Sequence, residues 1–380
     1  MRTQVNINND IIMWAIKRAG FKYDDSALKS LKIEAWLRKE KKPTVKQLED
    51  FSRKVHLPFG YLFLNEPPKE ELPIPFFRTN NDTTKLSINV YETVLMIQQR
   101  QEWFKEYLKD NEATALNFVG KYKDNYNYND IVEDIRKVMG IEKDWASKFN
   151  YFEDALNYLT SKIEELGIIV VFNGVVGNNN KRRIKVDECR GFVLVDEFAP
   201  FMFINAADAK AAQLFTLIHE LAHIWTGKSA GFDFRGLLPA NDPIELLCDK
   251  VAAEFLVPED YFNKLWKDKN DIETISKYFK VSRIVVARRA LDFGKITKIE
   301  FFDIYNKFLK DLNYKKEKQN DAGKFYATYA TTKKRLSLRF VYSVEQAVKS
   351  EKLLYRDAYR LTGLKGNTYH KFIQKYFPGV

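Results

Sequence analysis

His219-Glu220-Leu221-Ala222-His223 sets two imidazoles four residues apart with a carboxylate between them. On a helix, positions i and i+4 share a face, so both rings can reach one metal ion. Glu220 is rotated off that pair and can hold a metal-bound water instead. The chain has only four histidines, His56, His219, His223 and His370. Two of them fall at this spacing with Glu between. The bland alternative is a helix with two incidental histidines. The flanking run from Asp208 to Trp225 is apolar and reads as helix.

Catalytic zinc needs three protein ligands and one open position. A metzincin would carry its third histidine at position 229, where this chain has Ser229. The third ligand must then come from elsewhere, and a carboxylate on a second helix supplies it. Glu245 stands near the start of the helical run Pro243 to Val257, and we assign it as third ligand. Its alternative role is a helix-start carboxylate favoured by the dipole. Asp249 follows four residues later on the same face. It can accept a hydrogen bond from a ligand imidazole and fix its tautomer; its alternative is a solvated surface carboxylate. Glu254 lies half a turn from Glu245 and is expected to face solvent. The chemistry implied is amide hydrolysis. Zinc polarises the carbonyl and lowers the pKa of its water to about 7, and Glu220 serves as general base. The strand Phe201–Ile204, just before the active helix, is expected to pair with an extended substrate by strand addition.

Four segments position these residues. Residues 1–66 read as a small helical bundle, with helices expected over Asp10–Ala19, Asp25–Leu31, Ile33–Lys39 and Pro43–Val55. Residues 67–84 open on Pro67-Pro68 and continue through Pro73 and Pro75 as an extended linker. Residues 85–312 hold helices at Ser87–Leu108, Ile131–Met139 and Phe152–Leu166, strands at Ile168–Phe172, Gly191–Val195 and Phe201–Asn205, then the two metal-site helices and further helix. Residues 313–380 form a basic tail. It begins on a charged linker at Lys315–Asp321 and mixes a strand pair, at Phe325–Tyr329 and Leu336–Phe340, with two short helices before Tyr376. The fold class is α+β, mostly helical, with a small sheet.

Hydrophobic content of 45% over 380 residues suffices for real cores. No apolar run approaches the roughly 20 residues that span a bilayer, and the first residues lack a signal-peptide core. Two cysteines, Cys189 and Cys248, are too few for a disulfide framework. A soluble, cytoplasmic protein without membrane contact is expected. Net charge is +11 and uneven. Residues 301–380 carry 17 Lys and Arg against 7 Asp and Glu, and residues 1–80 carry 15 against 10, leaving a mildly acidic centre. Basic ends favour a polyanion or an acidic protein; solubility alone is the plain alternative.

The run Phe215–His223, followed by Glu245 and Ala252-Ala253-Glu254-Phe255-Leu256-Val257-Pro258, resembles the ImmA/IrrE metallopeptidases. The likeness extends to Phe76-Phe77-Arg78 and Arg190-Gly191-Phe192. That family usually has Asn where this chain has Asp249. The N-terminal segment is similar to XRE-type helix-turn-helix domains, through Trp36 and Pro43-Thr44. It departs from them in having Arg38-Lys39-Glu40 after the tryptophan and a short stretch before it. Lys29, Lys32, Arg38, Lys39, Lys41 and Lys42 are the candidate phosphate contacts. The resemblance implies a zincin-like domain binding one Zn2+ per chain, and a regulatory endopeptidase that cuts a DNA-binding repressor. The partners it implies are that protein substrate or a toxin–antitoxin partner, DNA at the N-terminal domain, and a second copy of the chain as homodimer. A different class of function is a DNA-binding regulator or antitoxin whose zinc site is structural or idle.

Overall fold

The computed structural model describes residues 4–22, 25–26, 28–70, 87–232, 242–319 and 329–379. The protein is α+β and mostly helical. It divides into two compact units, Met1–Pro73 with Thr83–Val94, and Ile74–Asp82 with Leu95–Val380.

The first unit holds α1 (Asn9–Arg18), α2 (Ile33–Leu37) and α3 (Val45–Lys54), with 3-10 turns at Lys29–Leu31 and Phe59–Phe63. Caps set the boundaries. The Asn8 side chain accepts from Asp10 N, and Thr44 with Gln47 forms a reciprocal capping box. Ile12, Ile16, Trp36, Leu48 and Phe51 fill the core, with Trp36 edge-on to Phe51 at 6.1 Å. The stretch expected as a helix from Asp25 narrows to a 3-10 turn. At five residues, α2 is about 7.5 Å long.

The second unit opens with the later residues of α4 (Ile88–Asp110), then α5 (Tyr128–Met139) and α6 (Phe152–Glu165). Strand β1 (Ile169–Phe172), the hairpin β2 (Val175–Val176) with β3 (Asn179–Arg183), β4 (Gly191–Leu194) and β5 (Phe201–Ile204) follow. Then come α7 (Lys210–Thr226), β6 (Ala230–Phe232), α8 (Pro243–Leu256), α9 (Glu259–Leu265), α10 (Ile272–Phe279), α11 (Arg283–Asp292) and α12 (Lys298–Gln319). The C-terminal helices are α13 (Tyr329–Leu336), α14 (Leu338–Lys349), α15 (Tyr355–Thr362) and α16 (Asn367–Tyr376).

The main sheet has the order β1-β5-β4-β6, with β1 parallel to β5 and the other pairs antiparallel. Every residue of β1, β4 and β5 is buried, which fits their unbroken apolar runs and a sheet covered on both faces. Helix α7 packs on β4 and β5, α6 and α13 pack on β1, and α8 packs against α7 and α5.

Three expectations are corrected here. Strand Phe201–Ile204 is interior, hydrogen-bonded on both sides by β1 and β4, so no substrate strand can add to it; the outer strands are β1 and β6. The stretch Leu336–Phe340 is not a strand. It spans the junction of α13 and α14, where Ser337 turns the chain at φ 58. Its expected partner is described only at Tyr329, which begins α13; residues 325–328 lie outside the described residues. The charged stretch from Lys315 is helical as far as Gln319, because Lys, Glu and Gln are good helix formers and no Gly or Pro interrupts them. Most of the Pro-rich linker, and Phe76-Phe77-Arg78, also lie outside the described residues.

Candidate metal centre

Helix α7 is buried all round from Leu214 to Thr226 except at Phe215, so its polar residues are enclosed with its apolar ones. It stops at Gly227, whose left-handed φ of 71 returns N–H bonds to His223 O and Ile224 O. Helix α8 begins at Pro243 and is capped by Asp242, which accepts from Ile244 N at 2.8 Å and Glu245 N at 3.2 Å. That cap fixes the turn carrying Glu245. Two buried arginines hold the other end: Arg136 donates to Phe255 O, and Arg289 donates to Val257 O. Both add positive charge where the helix dipole is negative. Burial pulls Arg136 down to about 10.

His219, Glu220, His223 and Glu245 have no exposed surface. The two histidine Nε2 atoms are 3.2 Å apart. Glu245 places Oε1 3.1 Å from His223 Nε2 and Oε2 3.4 Å from His219 Nε2. One ligand atom from each of the three lies within 4.8 Å of the others. A tetrahedral ion with bonds of about 2.0–2.1 Å has its ligand atoms about 3.3–3.4 Å apart, and this triangle fits that size. Two imidazoles and one carboxylate are also the donor types of a catalytic zinc site with one position open.

Asp249 Oδ1 sits 3.0 Å from His219 Nδ1. Accepting the Nδ1 proton there leaves Nε2 pointing at Glu245 and His223. Burial lowers both imidazoles' affinity for a proton. At His223 burial dominates and the pKa falls. At His219 burial is outweighed by hydrogen bonds to Asp249 and Glu245, which hold the imidazolium up to about 10. Burial raises Glu245, but the two histidines outweigh it and hold the carboxyl well below the usual range.

Gly191 admits the helix to the sheet. A Cβ there would lie 2.6 Å from Thr216 Cγ2, 2.9 Å from Phe203 O and 3.3 Å from Glu220 Oε1. The general-base candidate therefore rests over a position where only glycine fits. Ser229 accepts from Val195 N at 2.9 Å, tying the chain after α7 to the end of β4. Glu254 corrects the solvent-facing expectation. It pairs with the buried guanidinium of Arg289 and accepts from Glu259 N at 3.1 Å. The helical wheel put it opposite Glu245, and α11 occupies that side.

Lys29, Lys32, Arg38, Lys39, Lys41 and Lys42 are all exposed and flank α2 in the first unit. Lys32 and Lys39 take left-handed backbone conformations at either end of that helix. None of the six belongs to the buried cluster. Sequence reasoning missed the two arginines that grip the end of α8, for which no periodic signal exists. It placed the helix start at Pro243 but passed over Asp242 as its cap, which could have been read.

Residues 163–291 match the family model described as the IrrE N-terminal-like domain, of the peptidase M78 type. Residues 336–375 match a domain of unknown function, DUF8813. Comparison with the curated proteins finds no match. The first match runs from the end of α6 to α11, a third of the chain, and contains the main sheet, α7, α8 and every residue of the buried cluster. The likeness to metallopeptidases of the ImmA/IrrE type rests on that segment.

Proposed function

We propose that the chain is a zinc-dependent endopeptidase of regulatory type, with His219, His223 and Glu245 as the metal ligands and Glu220 as general base. The observation that carries this reading is the buried triangle of His219, His223 and Glu245 with a carboxylate one residue from its first histidine. Zinc held there supplies Lewis acidity toward a substrate carbonyl. Glu220 takes the proton of the attacking water and delivers it to the leaving nitrogen. Asp249 keeps His219 in the tautomer that presents Nε2. Apolar residues of α7 and α8 keep the surroundings dry, which strengthens each charge interaction. The substrate proposed, on the ImmA/IrrE likeness, is a DNA-binding repressor or a related regulatory protein.

Complete burial of the four residues favours a second reading, in which the metal site is structural and the chain acts as a regulator or antitoxin. One variant separates the two. Glu220→Gln is expected to retain about one zinc per chain by elemental analysis and to lose cleavage by at least a hundredfold. Cleavage is read as new N-termini in a lysate incubated with the zinc-loaded protein. Cleavage by zinc-loaded Glu220→Gln at the wild-type rate sinks the mechanism. Zinc-loaded wild type that generates no new N-termini favours the structural reading.

A further inference from the structure

Arg100 and Arg335 are, like Arg136 at the end of α8, buried without a carboxylate partner. Arg100, on α4, is 4% exposed, and Arg335, in the last turn of α13, is 3% exposed. Among the described residues no acidic side chain pairs with either. Arg100 gives only Nε to a protein acceptor, Leu361 O at 2.8 Å. Arg335 reaches two neutral amide oxygens at long range, Asn178 Oδ1 at 3.5 Å and Asn180 Oδ1 at 3.3 Å. Burial alone lowers both, Arg100 to about 10, with no carboxylate acting in the other direction. Arg100 is partly compensated by its bond to Leu361 O and by the Phe340 ring 6.0 Å from its guanidinium. Arg335, with only long neutral contacts, is not, and a buried guanidinium so weakly paired is unfavourable unless an anion completes it.

Both arginines are tied to the C-terminal end of α15, Arg100 directly and Arg335 through Asn178. Arg100 binds the end of α15 at Leu361, and Asn178 donates to Gly363 O, two residues on, at 3.1 Å while its other amide atom faces Arg335. The hairpin turn presses closely on that helix end: a Cβ on Gly363 would lie 3.1 Å from Asn178 Nδ2. The same hairpin continues as Lys181-Arg182-Arg183, with Lys181 and Arg183 exposed. Lys333 and Lys334 precede Arg335 on α13, and Lys334 is paired with Glu153.

We propose that Arg100, Arg335 and the β2–β3 hairpin form a binding site for the phosphate group of a small phosphate ester. Guanidinium forks suit phosphate oxygens, and the cations of the hairpin suit a dianion. Because both guanidiniums are almost wholly enclosed, only a small ligand or a terminal phosphate reaches them. A nucleic-acid backbone lying on the surface does not.

The test is calorimetric titration of the full chain with inorganic pyrophosphate and with adenosine monophosphate, at ionic strength held constant with chloride. Saturable binding of at least one probe is expected, weakened at least tenfold by Arg335→Gln and at least threefold by Lys181→Glu, whose side chain lies on the surface and spares the fold. Tighter binding of the nucleotide than of pyrophosphate identifies a nucleotide ligand, and the reverse order a free phosphate compound. The proposal is overturned if wild type binds neither probe saturably, or if the folded Lys181→Glu and Arg335→Gln proteins bind as wild type does. If Arg335→Gln does not fold, the wild-type titration and Lys181→Glu decide alone.

Discussion

At the scale of single residues, the metal centre depends on a proton as much as on its ligands. Asp249 faces His219 Nδ1 at 3.0 Å while remaining partly exposed, and its proposed role is to set which nitrogen looks inward. Asp249→Ala is expected to weaken zinc binding about 10- to 100-fold, measured by competition with a chromophoric chelator. Asp249→Asn keeps an accepting oxygen and should lose less; equal losses in the two variants, or none in either, contradict the orienting role. The raised proton affinity of His219 gives a second expectation. Its imidazolium persists up to about 10, and His223 is lowered, so near neutral pH one proton must leave when a cation enters. Ligation needs the neutral ring, so the sign is fixed: affinity rises with pH. About a tenfold gain per pH unit is expected between roughly pH 7 and 9, with about one proton released. Calorimetry in buffers of different ionisation enthalpy reads that proton, and pH-independent binding with no release refutes it.

At the scale of elements, the site is a contact between α7, α8 and β4, and Gly191 decides how close the first comes to the last. Gly191→Ala drives a methyl group into Thr216 and a strand carbonyl. It is expected to cost about 1–3 kcal/mol by urea denaturation and to weaken metal binding, because α7 carries both histidines. A variant as stable as wild type removes the close-approach argument. Much of this seam was legible from sequence, since the i,i+4 pair, the Glu245–Asp249 spacing and the apolar strand runs each have a local period. What was not legible is non-local. The parallel pairing of β1 with β5 makes Phe201–Ile204 interior, and no pattern within that strand reveals it. Glu254 was misread because a helical wheel assigns faces without knowing that Arg289 of α11 fills one. The alternation at Leu336–Phe340 mimics a strand because two helices meet there at Ser337. The helical run from Asp260 through the start of α12, by contrast, declares itself by composition yet gives no sign of what it packs on.

At the scale of the whole molecule, the charge lies toward the ends of the chain and the proposed chemistry lies in its middle third. Six exposed cations flank α2, a helix of five residues. So short a helix offers little side chain to base edges, and contact with DNA would therefore run through phosphates. If the first unit binds duplex DNA, its log affinity should fall with log salt at a slope nearing −5 when all six engage, and Lys41→Glu should flatten that slope by about one. A salt-independent affinity, or no binding at low salt, removes DNA from the reading. The two helices of the seam carry one further consequence. On the proposed ligation α7 brings two ligands and α8 the third, so a cation held between them would be a cross-link joining separate parts of the chain. Each tenfold excess of free ion over its dissociation constant adds about 1.4 kcal/mol to the folded state. Cellular proteases act on whatever fraction is open. If the proposed site holds its ion, the abundance of the protein is tied to metal supply, and starvation for the ion clears the chain instead of leaving it in store as an inactive reserve.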